Sequence, residues 1–223
     1  MAKISNLSSL LLVALYIFST FASAEPPRPS KAAPGAPGEL LALRQRRSRA
    51  SRAYVMAQCR TTRYPDLCVR CLADSTAQTP QHLAQIALRV SLSRARYARS
   101  YMIQVAKELK RSKAKEYQVV KDCLEQINDG VDQLTRSVFE LQRIDEHGEG
   151  KFLWHQNNVQ TWASAALTDA LTCMDGFSGH AMNGKKKAII KAKVLNVAQV
   201  TSNALALFNR FAARHKASHV KTP

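Results

Sequence analysis

The stretch 159–177, VQTWASAALTDALTCMDGF, constrains this chain more than any other. Stepping 4, 3, 4, 3, 4 residues along it meets Val159, Ala163, Ala166, Ala170, Cys173 and Phe177, so one helical face is small or apolar and carries a cysteine. That spacing is the seam of a helix bundle. A cysteine on such a seam faces a neighbouring helix and can be cross-linked only where that neighbour offers a thiol at matching height. The run 120–141 offers one: its seam steps through Val120, Leu124, Ile127, Val131, Leu134, Val138 and Leu141, with Cys123 beside it. Cys123 is therefore the natural partner of Cys173, and the remaining elements read as arranged around this stapled pair.

The chain of 223 residues opens with a segment to be set aside before domains are counted. Lys3 precedes an apolar run over 10–21, and Ala22, Ser23 and Ala24 offer small residues for cleavage, the pattern of a secretory signal peptide over 1–24. The run is short for a membrane span, and no later stretch reaches about 18 consecutive apolar residues, so a secreted product without membrane attachment is expected. Export permits disulfides. The five cysteines, Cys59, Cys68, Cys71, Cys123 and Cys173, are odd in number and leave one thiol over. Lys and Arg number 33 against 16 Asp and Glu, and the net charge of +17 becomes +16 once Lys3 is removed. Such a surface attracts polyanions. Outside a cell these are acidic polysaccharides or acidic protein faces rather than nucleic acid; a merely solubilising charge is the plain alternative.

The segment 25–39, EPPRPSKAAPGAPGE, holds five prolines and two glycines without apolar periodicity, and a disordered Pro-rich and basic arm is expected over 25–47. The cluster RQRRSRASR over 44–52 could be a proprotein-cleavage site, a polyanion contact through Arg46, Arg47 and Arg49, or the solvated start of a helix, which is the preferred reading. A short helical hairpin follows over 48–78, with Thr61 or Thr62 able to cap and Pro65 suited to a first helical turn. So small a hairpin buries no core of its own, and a bridge between Cys59 and Cys68 would stabilise it by about 2–3 kcal/mol. Cys71, three residues beyond Cys68, raises the redox and zinc readings of a CxxC pair. The redox reading lacks its βαβ setting and the zinc reading lacks two further ligands, so a structural bridge plus a spare half-buried thiol is preferred.

Four long helices are expected next. The first covers 80–111 with Thr79 as cap and Leu83, Ile86, Val90, Tyr97, Tyr101, Val105 and Leu109 on its apolar side. The second covers 115–145 and is ended by Gly148 and Gly150; the third starts near Lys151 and ends at 176–179. The fourth follows Asn183 and Gly184 and steps through Ile190, Val194, Val197, Thr201, Ala204, Phe208 and Phe211. Similar lengths and short loops describe an all-α, up-down-up-down four-helix bundle over 79–215 with a tail over 216–223. The histidines are scattered, and GxSxG, HExxH and phosphate-cradling glycine loops are missing, so neither an enzyme nor a metal or cofactor is expected.

With CRTTRYPDLC, a lone cysteine in DCLE, then WASAALTDALTCMDGF and NVAQVTSNALAL in that order, the chain resembles the plant invertase and pectin methylesterase inhibitor family over 48–213. The resemblance implies Cys59 bridged to Cys68 and Cys123 to Cys173, Cys71 as an additional thiol, and a non-catalytic apoplastic protein that forms a 1:1 complex with a cell-wall enzyme. Invertase-directed members carry a Pro-Lys-Phe element; here Gly150-Lys151-Phe152 lacks the proline, so pectin methylesterase is the expected target and invertase the alternative. Occlusion of the pectin-binding cleft by polar helix faces is expected, with Asn157, Gln160, Thr168 and Asp169 on the third bundle helix and Asp129 and Gln133 on the second as candidate contacts. Trp162 is read as core or seam. A non-inhibitory binder would instead hold acidic pectin through the arginines of 44–52 together with Lys185, Lys186 and Lys187.

Overall fold

A computed structural model describes residues 37–144, 151–178, 182 and 184–220; the expected signal peptide, the arm over 25–36 and the glycines at 148 and 150 lie outside them. Among the described residues there are six helices: α1 Pro37–Cys59, α2 Pro65–Leu72, α3 Pro80–Arg111, α4 Tyr117–Gln142, α5 Phe152–Asp175 and α6 Gly184–Val220. No strand occurs among the described residues. The last four close a ring in which α3 packs on α4, α4 on α5, α5 on α6 and α6 back on α3, while α2 leans on α3 and α6.

Local chemistry sets several of these limits. Thr79 caps α3, its hydroxyl oxygen accepting the His82 N–H at 3.2 Å, and Pro80 fills the first-turn position where a missing N–H costs nothing. At the other end Lys113 adopts a left-handed backbone (φ 52°), which lets the Ala114 N–H reach back to the Leu109 carbonyl at 3.0 Å and stops the helix. Pro65 opens α2 in the same way as Pro80 opens α3.

Two boundaries differ from the sequence reading. Residues 37–47 are helical, whereas a disordered arm to residue 47 was expected. The Pro and Gly bias that argues against structure ends at Gly38, and Glu, Leu, Ala, Arg and Gln beyond it are good helix formers that continue without a break into the hairpin. Residues 216–220 likewise continue α6 and do not form a separate tail, because nothing after Phe211 interrupts a helix.

The core is where the α5 and α6 seams place it: Val159, Ala163, Ala166, Ala170, Cys173 and Phe177, and Ile190, Val194, Val197, Thr201, Ala204, Phe208 and Phe211, are all buried. Of the expected α3 seam, Leu83, Val105 and Leu109 are buried at its two ends, while its middle is shifted. Its buried line runs through Ala84, Ala87, Leu88, Ala95, Ala98 and Met102, while Tyr97 is 62 % exposed and Ile86, Val90 and Tyr101 only border the core. The Lys193 ammonium lies 3.9 Å above the Tyr97 ring and 5.1 Å from that of Tyr101, which accounts for aromatic residues outside the core.

Two disulfides, Cys59–Cys68 and Cys123–Cys173, tie the hairpin and the α4–α5 pair. The hairpin is also sewn to α6. Asn203, buried, donates to the Tyr64 carbonyl at 2.8 Å and accepts the Tyr64 N–H at 3.0 Å, and Arg210 donates to the Gln58 carbonyl at 3.1 Å. Cys71 is a free, half-buried thiol packed against the core.

Candidate functional site

The antiparallel pairing of α4 and α5 is fixed at three heights. Near one end stands the Cys123–Cys173 bridge. In the middle Gly130 brings the backbones close enough that a Cβ there would sit 3.6 Å from the Ala166 carbonyl oxygen. At the far end the Glu140 carboxylate takes the His155 ring at 2.9 Å and the Asn158 amide at 2.8 Å, with Glu140 and His155 both buried. The residues beside this seam line the groove between the two helices. On α4 the steps 4, 3, 4 give Asp122, Gln126, Asp129 and Gln133; on α5 the steps 4, 3, 4, 3 give Asn158, Trp162, Ala165, Asp169 and Thr172.

This arrangement separates the six candidate contacts. Asp129, exposed, and Asp169, half-buried, come together across the groove: burial and then the negative charge of Asp129 hold the Asp169 carboxyl above the usual carboxylate range. Gln133, one turn along from Asp129, has a buried Oε1 without a hydrogen-bond partner among the described residues. Thr168 adjoins them, exposed, donating its hydroxyl to the Ser164 carbonyl at 3.1 Å, and Asn157 is exposed on the outer face of α5. Gln160 turns the other way. It donates to Asn209 of α6 at 2.9 Å and accepts from Gln156, so it belongs to the α5–α6 boundary.

Sequence reasoning missed the groove partners Asp122, Gln126, Asn158 and Thr172; Trp162, read as core or seam, is half-buried beside the α5 seam. The signal was present as a second 4-3-4 stripe beside each seam. Past the disulfide the groove opens into a recess of about 500 Å³ lined by Lys115, Gln118, Asp122, Gln126, Thr172 and Gly176.

The cationic candidates are not one site. Arg46, Arg47 and Arg49 are exposed on α1, whose end is held at Arg210, whereas Lys185, Lys186 and Lys187 open α6, where Lys186 pairs with Glu108 at 2.7 Å. The hydrogen bond and charge of Lys186 pull the Glu108 carboxyl below its usual range. Arg210 and Lys186 are 24 residues apart on one helix, or about 36 Å. No group of three His, Cys, Asp or Glu among the described residues is placed to hold a metal ion, and no described helix is long and apolar enough to cross a membrane.

The profile of the family described as plant invertase/pectin methylesterase inhibitor matches residues 53–207. The chain belongs to that family. Within this family it is 46 % identical over 166 residues to pectinesterase inhibitor 9 of Arabidopsis thaliana, covering 72 % of the present chain and 81 % of that one. It is 44 % identical to the 21 kDa protein of Daucus carota, covering 73 % and 86 %. A crystal structure of a mutant form of a pectin methylesterase inhibitor from Arabidopsis superimposes with a TM-score of 0.54 at 18 % identity, over 69 % of this chain and 95 % of that one, which establishes the shared fold. The family is one of inhibitors.

Proposed function

We propose that this protein is a secreted, non-catalytic inhibitor of pectin methylesterase that acts in the plant cell wall by forming a 1:1 non-covalent complex across the enzyme's pectin-binding cleft. The reading is carried by the α4–α5 groove, a polar stripe on two helices locked by a disulfide, in a chain whose relatives are named pectinesterase inhibitors. Occlusion needs a stiff surface that offers hydrogen-bond partners to a polysaccharide cleft without reacting there. Asp129, Gln133, Thr168 and Asp169 meet that need at low ordering cost, because their helices are already fixed.

Phe152 speaks against invertase as the target. In the Gly150-Lys151-Phe152 segment, Phe152 is buried and stacks on the His215 ring at 3.5 Å between centroids, so its side chain serves the core and is not offered to a partner.

Titration of a pectinesterase and of an invertase with the purified protein tests the proposal. Stoichiometric loss of pectinesterase activity and an unaffected invertase are expected; a pectinesterase that keeps full activity at excess protein from acidic to neutral pH refutes it. Within the groove, D129N combined with Q133A should raise the inhibition constant at least about 10-fold, the loss of two well-placed polar contacts. Q160A should leave it within about 3-fold, since that amide is turned to α6.

A further inference from the structure

The inhibitory reading leaves the arginine-rich turn of α1 without a role. Arg44, Arg46, Arg47, Arg49 and Arg52 lie within nine residues, all exposed, and none forms an ion pair among the described residues. Glu39 is the only acidic residue on α1. From 39 to 50 every residue is exposed, and the first buried side chain is that of Ser51. These charges therefore support no packing. Arginines one helical turn apart repel one another and disfavour the helix that carries them, by about 0.2–0.5 kcal/mol for each pair. A cluster kept under that penalty, away from the core and from the α4–α5 groove, has the character of a polyanion site.

The geometry points to a carboxylate-bearing polysaccharide, galacturonan freed of its methyl esters, as the occupant of this arm. Arg46 and Arg49, like Arg44 and Arg47, are three residues apart, about 4.5 Å along the axis. That is close to the length of one sugar unit with its linkage, so successive carboxylates can meet successive guanidiniums, whose planar forks take carboxylates two bonds at a time. The choice of polymer rests on the proposed function, because de-esterified galacturonan is what a pectinesterase leaves behind. The arm would hold the inhibitor on the polymer its target has already processed, with the groove still open to the enzyme. Lys185, Lys186 and Lys187 take no part, being at the far end of α6 with Lys186 already engaged by Glu108.

The test uses protein secreted from the full-length sequence, with binding measured on immobilised polygalacturonate, on the same polymer fully methyl-esterified, and on polyglutamate of equal charge. Binding to polygalacturonate, none to the esterified polymer and weaker binding to polyglutamate are expected. With up to five charges neutralised, raising salt from 50 to 200 mM should weaken binding on the order of 100-fold. Replacing all five arginines by Gln should weaken it at least 10-fold, leaving pectinesterase inhibition in solution unchanged, while K185Q/K186Q/K187Q should bind as the wild type. Equal binding to the esterified polymer, tighter binding to polyglutamate, retention by the five-fold Gln variant, or a secreted chain that begins at Ser48 overturns the inference. Failure of the wild type to inhibit a pectinesterase would strike the proposed function and leave this binding measurement standing.

Discussion

Asp169 shows how a single residue ties stability to pH. Its carboxyl is held above the ordinary range by burial and by Asp129, so the folded state keeps the proton to a higher pH than the unfolded chain does. Stability then falls as pH rises through the window between the unfolded value and the raised folded one, and the penalty stays constant above it. D169N removes the charge and should melt at a higher temperature than the wild type near neutral pH, with the gap closing as pH falls below the ordinary carboxylate range. A gap that is the same at every pH would show that Asp169 carries no such penalty. Glu140 matters through its contacts, a buried side chain with two hydrogen-bond partners. E140A strands the His155 ring and the Asn158 amide without this acceptor and should cost about 2–3 kcal/mol in urea unfolding, with E140Q costing less. Neither prediction is readable from the sequence, where Asp169 is one of several polar residues on a helix and Glu140 and His155 lie on either side of the stretch DEHGEG.

At the scale of elements, much was readable because a seam declares itself when its residues are unambiguous. The α5 and α6 seams mix Val, Ile and Phe with Ala at strict spacing, and every named position is buried. On α3 the buried face mixes alanines with Leu83, Leu88, Leu92 and Met102, and in its middle reasoning by size chose Tyr97 over Ala95 and Ala98. A tyrosine with a cation over its ring is content at the surface. The sulfur pairing could be argued from one seam facing another, and the bridges divide the stability between them by loop length. Cys123–Cys173 closes a separation of 50 residues and Cys59–Cys68 one of 9. Loop-closure entropy gives about 4 kcal/mol for the first and about 2.5 kcal/mol for the second. C123A/C173A should therefore lower the denaturant midpoint more than C59A/C68A, and the reverse order would mean that the hairpin bridge holds tertiary contacts beyond its own loop. Gly130 completes the α4–α5 pair. An added methyl would meet Ala166 and Asp169 at 3.6–3.8 Å, ordinary contact distance. G130A should gain about 0.5–1 kcal/mol from helix propensity, and a loss would mean that the helices must stand closer than they do here.

For the whole molecule, the separation of roles implies that its parts can be removed independently. Residues 39–50 are all exposed, with Leu40, Leu41 and Leu43 at least 56 % so, whereas Ser51, Val55 and Cys59 mark the side of α1 that enters the core. Helical turns without buried side chains contribute little to a cooperative fold, because an isolated helix of this length is marginal in water. A chain beginning at Ser48 should therefore melt within about 2 °C of the longer secreted chain, a shift smaller than 1 kcal/mol produces in a domain of this size. It should also titrate pectinesterase unchanged. What it should lose is most of its affinity for de-esterified galacturonan and most of the salt dependence of that affinity, because three of the five arginines go with the deleted turns. A large fall in melting temperature would show instead that α1 is stabilised along its whole length, and its arginines would then have to be reread as part of the fold.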